Sequence, residues 1–242
     1  MITKIFIYTV FVPLFFLSLK ESFLLQNNVE NRPPSVVIKK PVKNSSIPWN
    51  SIVPYAVHVN DPEDGNSEYD EIPGAEVLLM VNYFPRSTDA EKYVSQGLDK
   101  IPAPMIQMSK STCLLCHTSK NKLIGPSFDL IADRYKATPD VIEALANKVI
   151  SGSTGTWGEL IMPTHPDLKI EEVKKMVSWI LTNGSNPNQS FHTGIEGIFR
   201  TAEKPGGAPG VYTITASYTD HGISGIPKSN KQGRHTLIFR PN

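Results

Sequence analysis

Two cysteines separated by two residues and followed at once by a histidine are the feature that most constrains this chain. Cys113 and Cys116 are the only cysteines among 242 residues, and His117 comes directly after them. Two thiols at this spacing can add to the two vinyl groups on one edge of a haem, and the next residue then lies under the ring, where its imidazole can bind the iron. The spacing therefore predicts one covalently attached haem c, with His117 as an iron ligand.

Other uses of such a cysteine pair fit the sequence less well. A redox dithiol needs a βαβ context, which the residues around Cys113 do not offer. A four-ligand zinc site needs a second pair of ligands, but the chain has no further cysteine and its other histidines are scattered singly. A disulfide across so short a loop would be strained.

The first 19 residues are typical of an export signal. Lys4 precedes an apolar run from Ile5 to Leu19, which is short for a membrane span of roughly 20 residues. A small-x-small cleavage site is not obvious after Leu19, so an uncleaved N-terminal anchor remains open beside a cleaved signal peptide. Attachment of haem c is completed outside the bacterial cytoplasm, and no Arg-rich transit peptide is present, so we expect an exported protein of the periplasm or cell surface. Residues 20–32 are predicted to form a polar linker.

Hydrophobic periodicity divides the rest of the chain into three parts. Strand-like patterns in residues 33–86 give way to helical periodicity in residues 105–185 and return in residues 190–242. The predicted strands are 33–41, 52–59, 75–84, 194–200, 211–218 and 236–240. The predicted helices are 128–135, 139–150 and 171–181, and residues 109–118, which carry the cysteine motif, are expected to start a further helix.

The strands on the two sides of the helical part are too few to form two good sandwiches, but together they approach the number in an immunoglobulin-like domain. Inserting a domain at a surface loop costs little when its ends lie close together. We therefore predict an α+β multidomain protein, in which residues 105–185 interrupt a β-sandwich built from residues 33–86 and 190–242. The alternative is a complete small β-domain before the helices and a β-hairpin appended after them.

Residues 107–185 resemble a class I bacterial cytochrome c of the small c-551 kind. The motifs that carry the resemblance are Cys113–His117, Ile124–Phe128, Gly155–Gly158, Ile161–Pro163 and a final amphipathic helix with Trp179. The flanking segments 57–65 and 210–220 resemble PKD-type immunoglobulin-like modules more loosely. The resemblances imply an all-α cytochrome c domain over about a third of the chain, plus an immunoglobulin-like β-sandwich.

Met162 is the predicted second iron ligand. It lies in a loop between helices, where Pro163 favours an extended residue before it, so that the thioether can point inward. A thioether favours reduced iron and raises the reduction potential, whereas the rival ligand His165 would give a centre of lower potential. The other methionines considered lie on the apolar stripe of a helix or just before the cysteines: Met176, Met105 and Met108.

Two further roles are implied by the resemblance alone. Pro126 matches the family proline whose carbonyl accepts a hydrogen bond from the ligand histidine, which would fix the tautomer of the ring. Trp157 matches a family tryptophan whose indole N–H binds a haem propionate. The predicted haem-binding residues are therefore Cys113, Cys116, His117, Pro126, Trp157 and Met162, and no catalytic residue is predicted.

Two charged clusters suggest additional contacts. A basic ring around the haem edge could steer an acidic partner, although ordinary solvated lysines are the alternative; its members would be Lys110, Lys120 and Lys122. An acidic turn could hold calcium, although its spacing is not that of an EF-hand loop and a solvated turn is the simpler interpretation; it contains Asp61, Glu63 and Asp64. The net charge of +1 does not favour nucleic acid as a partner.

These patterns predict an exported mono-haem electron carrier rather than an enzyme. An iron with His and Met ligands has no open position, and the sequence shows no Ser/His/Asp or paired-carboxylate arrangement. The β-sandwich would serve as a docking or spacer module, and the redox partner would be an exported dehydrogenase or an oxidase or reductase. Two alternatives stay open: a haem sensor or catalytic site with a displaceable Met162, and a β-sandwich that itself binds carbohydrate or a partner.

Overall fold

The computed structural model describes residues 30–43, 45–206 and 210–242. The predicted signal segment 1–19 and most of the predicted linker lie outside the described residues. Within the described ranges, no helix is long and apolar enough to cross a membrane.

Eight β-strands in the described part of the chain form two antiparallel sheets of four strands each. In the first sheet β2 pairs with three neighbours; its strands are β1 (Ser35–Lys40), β2 (Ile52–Asp61), β3 (Gly65–Asn66) and β6 (Glu196–Arg200). The second sheet has the order β5-β4-β7-β8; its strands are β4 (Leu78–Phe84), β5 (Gln189–Thr193), β7 (Val211–Thr219) and β8 (Gln232–Phe239). Each sheet thus combines strands from before and after the helical part.

The two sheets share one apolar core. Alternate residues of β2 point inward, namely Val53, Tyr55, Val57 and Val59, as period-2 patterning requires. They pack with inward residues of β4, β7 and β8, among them Leu79, Val81, Ile214, Ala216 and Leu237. The separate sheet-rich region is therefore established, whereas its immunoglobulin-like character stays a prediction.

The helical part contains five α-helices in the described residues: α1 (Ser87–Ser95), α2 (Ala103–Lys110), α3 (Phe128–Arg134), α4 (Pro139–Ser151) and α5 (Ile170–Asn183). The prediction of a helix over 109–118 was wrong, because α2 ends at Lys110 and the motif begins a separate 3-10 turn, Cys113–Leu115. Thr112 separates the two with a φ of 60°, a left-handed conformation that a right-handed helix cannot continue through.

The second sheet is buried on both faces. Residues Leu78 to Asn82 of β4 are all buried, as expected for a strand that lies between β5 and β7. One face packs on the first sheet; the other presents Leu78, Met80 and Phe191 to α2 and α5. Fully burying a side chain of this size contributes roughly 1.5–3 kcal/mol, so this contact joins the strands firmly to the helices.

Candidate functional site

The cysteine motif forms a compact turn that starts after Thr112. The backbone N–H groups of Cys116 and His117 both donate to the carbonyl oxygen of Cys113, at 3.2 and 3.0 Å. Both thiols are free and half-buried. Burial raises the pKa of the Cys113 thiol to about 11, so the free thiol is protonated at neutral pH. The turn places two thiols and an imidazole within one tightly bonded segment.

The imidazole of His117 is held by its Nδ1 atom. Nδ1 lies 2.7 Å from the carbonyl oxygen of Pro126, and because a carbonyl can only accept, Nδ1 carries the proton and donates. This tautomer leaves the lone pair of Nε2 available to a metal. Burial lowers the pKa of His117, the Pro126 carbonyl acts in the opposite direction, and the nearby His165 lowers the pKa further. The ring is therefore neutral, as a metal ligand must be.

Met162 lies in a loop that is fixed through its backbone. Its N–H donates to Ser153 O at 2.8 Å, and its carbonyl accepts from Ser153 N–H at 3.1 Å, which makes an isolated antiparallel bridge. The side chain is half-buried. Gly152 makes this bridge possible, since its φ of 75° is unsuited to other residues and a Cβ there would lie 2.9 Å from Met162 O.

Trp157 is held by a basic side chain from α3. The guanidinium carbon of Arg134 lies 4.6 Å from the centre of the indole, and its Nη1 donates to Thr156 O at 3.0 Å. Tyr135 packs edge-on against the same ring, with 6.4 Å between the centroids. A cation above a tryptophan face is stabilising, so the position of Trp157 is set by several contacts.

One cleft brings the predicted haem-binding residues together. It has about 1240 Å³ of space, including space open to solvent, and most of its lining is apolar. Its walls include all six predicted residues: Cys113, Cys116, His117, Pro126, Trp157 and Met162. Met108 and Met176 also line it, whereas Met105 and His165 do not. Paired thiols at one side, a neutral imidazole and apolar walls fit a haem, which is flat, apolar and attached through its edge.

The structure adds residues that sequence reasoning did not assign to the site. Tyr135, Leu145, Lys148 and Val149 line the cleft from the end of α3 and from α4. Leu145 and Val149 belong to the predicted helix 139–150, but the sequence does not show what this helix packs against. Lys148 carried no signal in the sequence, because a single lysine near the end of a helix is ordinary.

The predicted basic ring is wrong for two of its three members. Lys110 Nζ donates to Asp220 O at 2.8 Å and lies 3.9 Å from Glu76. Lys120 Nζ donates to Asn186 O at 2.7 Å and to Gly184 O at 3.3 Å. These two lysines bind carbonyl oxygens far along the chain, and of the three only Lys122 is exposed.

Protein donors bind one oxygen of Asp61 and one oxygen of Asp64 in the predicted acidic turn. Asp61 Oδ1 accepts from the backbone N–H groups of Glu63 and Asp64. Asp64 Oδ2 accepts from the Tyr218 hydroxyl at 2.7 Å and lies 2.9 Å from Nδ1 of His221. Among the described residues, no group of three or more His, Cys, Asp or Glu side chains is arranged to hold a metal ion. The geometry does not support a calcium site here.

The paired thiols, the neutral imidazole and the apolar cleft define a haem-binding domain of the c type. A family model described as Cytochrome c matches residues 107–184. Cytochrome c-552 of Nitrosomonas europaea is 36% identical over 73 residues, which are 30% of this chain and 71% of that protein. Cytochrome c-551 of Azotobacter vinelandii is 35% identical over 71 residues, 29% of this chain and 85% of that protein. A crystal structure of the wild-type Nitrosomonas europaea cytochrome c552 aligns with a TM-score of 0.30 at 35% identity, covering 31% of this chain and 93% of that one.

The chain belongs to the cytochrome c family. The similarity covers most of each relative and about a third of this chain, so the sheet-rich region is an addition to the matched segment. Membership implies covalently bound haem c, for which Cys113 and Cys116 supply the attachment motif, and haem-based electron transfer with a redox partner protein.

Proposed function

We propose that the protein is an electron carrier with a single haem whose iron is bound by His117 and Met162. The observation that carries this proposal is that both side chains line one apolar cleft beside the two attachment cysteines. The haem supplies a one-electron couple of its iron, and the chain supplies attachment, ligands and an apolar environment. The Nδ1–H donation to Pro126 supports His117, because it leaves Nε2 free and makes the ring more basic.

Met162 is favoured over His165 by its position. Met162 lines the cleft, whereas the His165 side chain is not part of the lining and its backbone N–H donates to Ile150 O at 3.1 Å. The two bonds with Ser153 fix the backbone of Met162 on this wall. Ligation by a thioether would favour the reduced state, which suits a carrier of higher potential.

A protein with both iron positions filled would transfer electrons and would not act on a substrate at the metal. Trp157 lines the cleft and is held by Arg134, which supports a role for its indole N–H as donor to a haem propionate. A sensor or catalytic role would require the thioether of Met162 to leave the iron.

For the chain as a whole, we propose that residues 105–185 are a cytochrome domain inserted into one β-domain made of residues 33–86 and 190–242. Each of the two sheets contains strands from both segments, and the two sheets share one apolar core, which supports this division. The β-domain would hold the haem domain towards its redox partner, an exported dehydrogenase or an oxidase or reductase. Covalent haem attachment also supports residence in the periplasm or at the cell surface, with residues 1–19 as the export signal or anchor.

Absorption spectroscopy tests the ligand assignment. The oxidised full-length protein should show the weak long-wavelength band expected of iron–thioether ligation, and the reduced protein a c-type α-band. Met162→Ala should abolish the weak band and keep the covalent haem. Met176→Leu is the matched control, since Met176 also lines the cleft but lies on the buried stripe of α5. Loss of the band in the Met176 variant instead, or its absence from the wild type, would reject His/Met ligation as proposed.

A further inference from the structure

A second cavity lies behind the haem motif, between the motif and the β-strands. It has about 640 Å³ of space, including space open to solvent. Leu114, His117 and Thr118 line it from the motif, and Tyr55, Phe191 and His192 line it from the strands. The cavity therefore reaches the predicted iron ligand from the side that faces the β region.

Two hydrogen bonds join the motif wall of this cavity to the strand wall. The hydroxyl of Ser119, two residues after His117, accepts from the backbone N–H of Phe191 at 2.8 Å and donates to Phe191 O at 3.3 Å. Ser119 is buried, and it also lines the cavity. These bonds hold the motif against β5, so the cavity lies at a hydrogen-bonded junction between the two parts.

His192 is the main polar side chain on the strand wall. Its Nε2 lies 3.1 Å from the Ser190 hydroxyl, and in the described part of the chain its Nδ1 makes no hydrogen bond to protein. Burial lowers the pKa of His192 to about 4, so the ring is neutral at neutral pH. Tyr55 is already satisfied, since its hydroxyl donates to Thr193 O at 2.8 Å.

A cavity of this size with polar wall groups meets the conditions for bound water. One water needs about 30 Å³ and two to four polar partners. His192 offers one such partner through Nδ1, and Thr193 is a second polar residue on the strand wall. The Thr118 hydroxyl on the motif wall is already bonded to Asn121, as donor and as acceptor. An apolar side chain in place of His192 would remove the partner on the strand side.

We propose that His192 is a positioning residue that holds water in this cavity beside His117 and thereby lowers the reduction potential of the haem. The inference rests on the proposed function, because it takes His117 to be an iron ligand. Oxidised iron carries one more positive charge than reduced iron, and nearby water stabilises that charge more than an apolar filling does. His192 lies outside the segment 107–184 that matches the family, so this effect on the reduction potential comes from the added strands.

The test compares midpoint potentials of the full-length haem protein. His192→Leu should shift the potential to a more positive value while the α-band and the weak long-wavelength band of the wild type are kept. His192→Gln keeps a polar group in the cavity and should stay close to the wild type. His58→Leu is the matched control, because His58 is a half-buried histidine of β2 that pairs with Glu68 and does not line the cavity.

A second variant guards against a failure of His192→Leu to fold. Ile198→Trp adds apolar volume at an exposed position on the cavity wall, so it should displace water and shift the potential in the same direction. A direct readout is the magnetisation transfer from water to the ring protons of His192, which should disappear in Ile198→Trp.

The outcomes separate this inference from the proposed function. A wild-type protein without the bands of His/Met ligation would overturn the proposed function. A wild type with those bands, together with unchanged or more negative potentials in both variants, would overturn the role of His192 alone. Positive shifts in both variants, with His58→Leu unchanged, would support it.

Discussion

His117 and Gly125 approach so closely that no side chain fits between them. A Cβ atom at Gly125 would lie 2.5 Å from Cε1 of the imidazole and 2.9 Å from Nε2. Gly125 therefore leaves the space that the imidazole needs, while the carbonyl oxygen of Pro126 accepts the hydrogen bond that holds the ring.

Gly125→Ala should therefore displace the imidazole from its position. Overpacking of this kind costs about 1–3 kcal/mol, and in the haem protein we expect a weaker iron–histidine bond as well as lower stability. Denaturant unfolding and the absorption spectrum of the variant are the measurements. Gly206→Ala is the control, since a Cβ at Gly206 meets no atom of the described residues within 4 Å. Equal stability and equal spectra of the two variants would contradict the steric argument.

Ser119→Ala should loosen the contact between the haem motif and β5. The substitution leaves the Phe191 N–H without its partner in a buried position, which costs about 1–3 kcal/mol. Urea unfolding of the full-length protein measures the loss. Ser95→Ala serves as the comparison, because the Ser95 hydroxyl donates to Lys92 O at an exposed site and its removal should change stability by much less. If both alanine variants unfold at the same urea concentration, the hydrogen bonds between Ser119 and Phe191 do not stabilise the contact between the motif and β5.

The low pKa of His192 predicts a dependence of stability on pH. The pKa is about 4 in the folded protein and close to 6.5 in an unfolded chain, so between these values the unfolded chain binds more protons. The free energy of unfolding should therefore rise with pH across this window. The contribution of His192 should be fully present above about pH 6.5 and amount to at most about 3 kcal/mol.

Other groups titrate in the same window, so the comparison with His192→Gln isolates this contribution. The free energy of unfolding of the wild type should rise more steeply between pH 4 and 6.5 than that of the variant. Parallel curves across the window would show that the His192 ring is protonated equally in both states.

Local motifs carried most of what could be predicted about the site. Cys113–His117 and Met162 were assigned from spacing and neighbouring residues, whereas Pro126 was assigned from the family resemblance; all of them line one cleft. Such assignments succeed because the geometry of a turn is decided by a few adjacent residues. The exception was the helix expected over 109–118, which the left-handed Thr112 interrupts without any glycine or proline to signal it.

Contacts between distant parts of the chain could not be predicted in the same way. Lys110 looked like a surface charge, yet its partner is the carbonyl oxygen of a residue 110 positions later. The second cavity could not be predicted either, because Tyr55, His117 and His192 line it from three segments that are far apart in the sequence. A period-2 pattern identifies which residues of a strand are buried, but it does not tell which strand lies beside it.

The second sheet has apolar residues on both faces, and one of these faces packs on helices α2 and α5. Separating the helices from the strands would expose Leu78, Met80 and Phe191 to water, so the two parts tumble as one larger body. The haem-bearing face then turns in solution more slowly than that of a free small cytochrome. A partner also cannot reach the surface of α2 and α5 that the sheet covers.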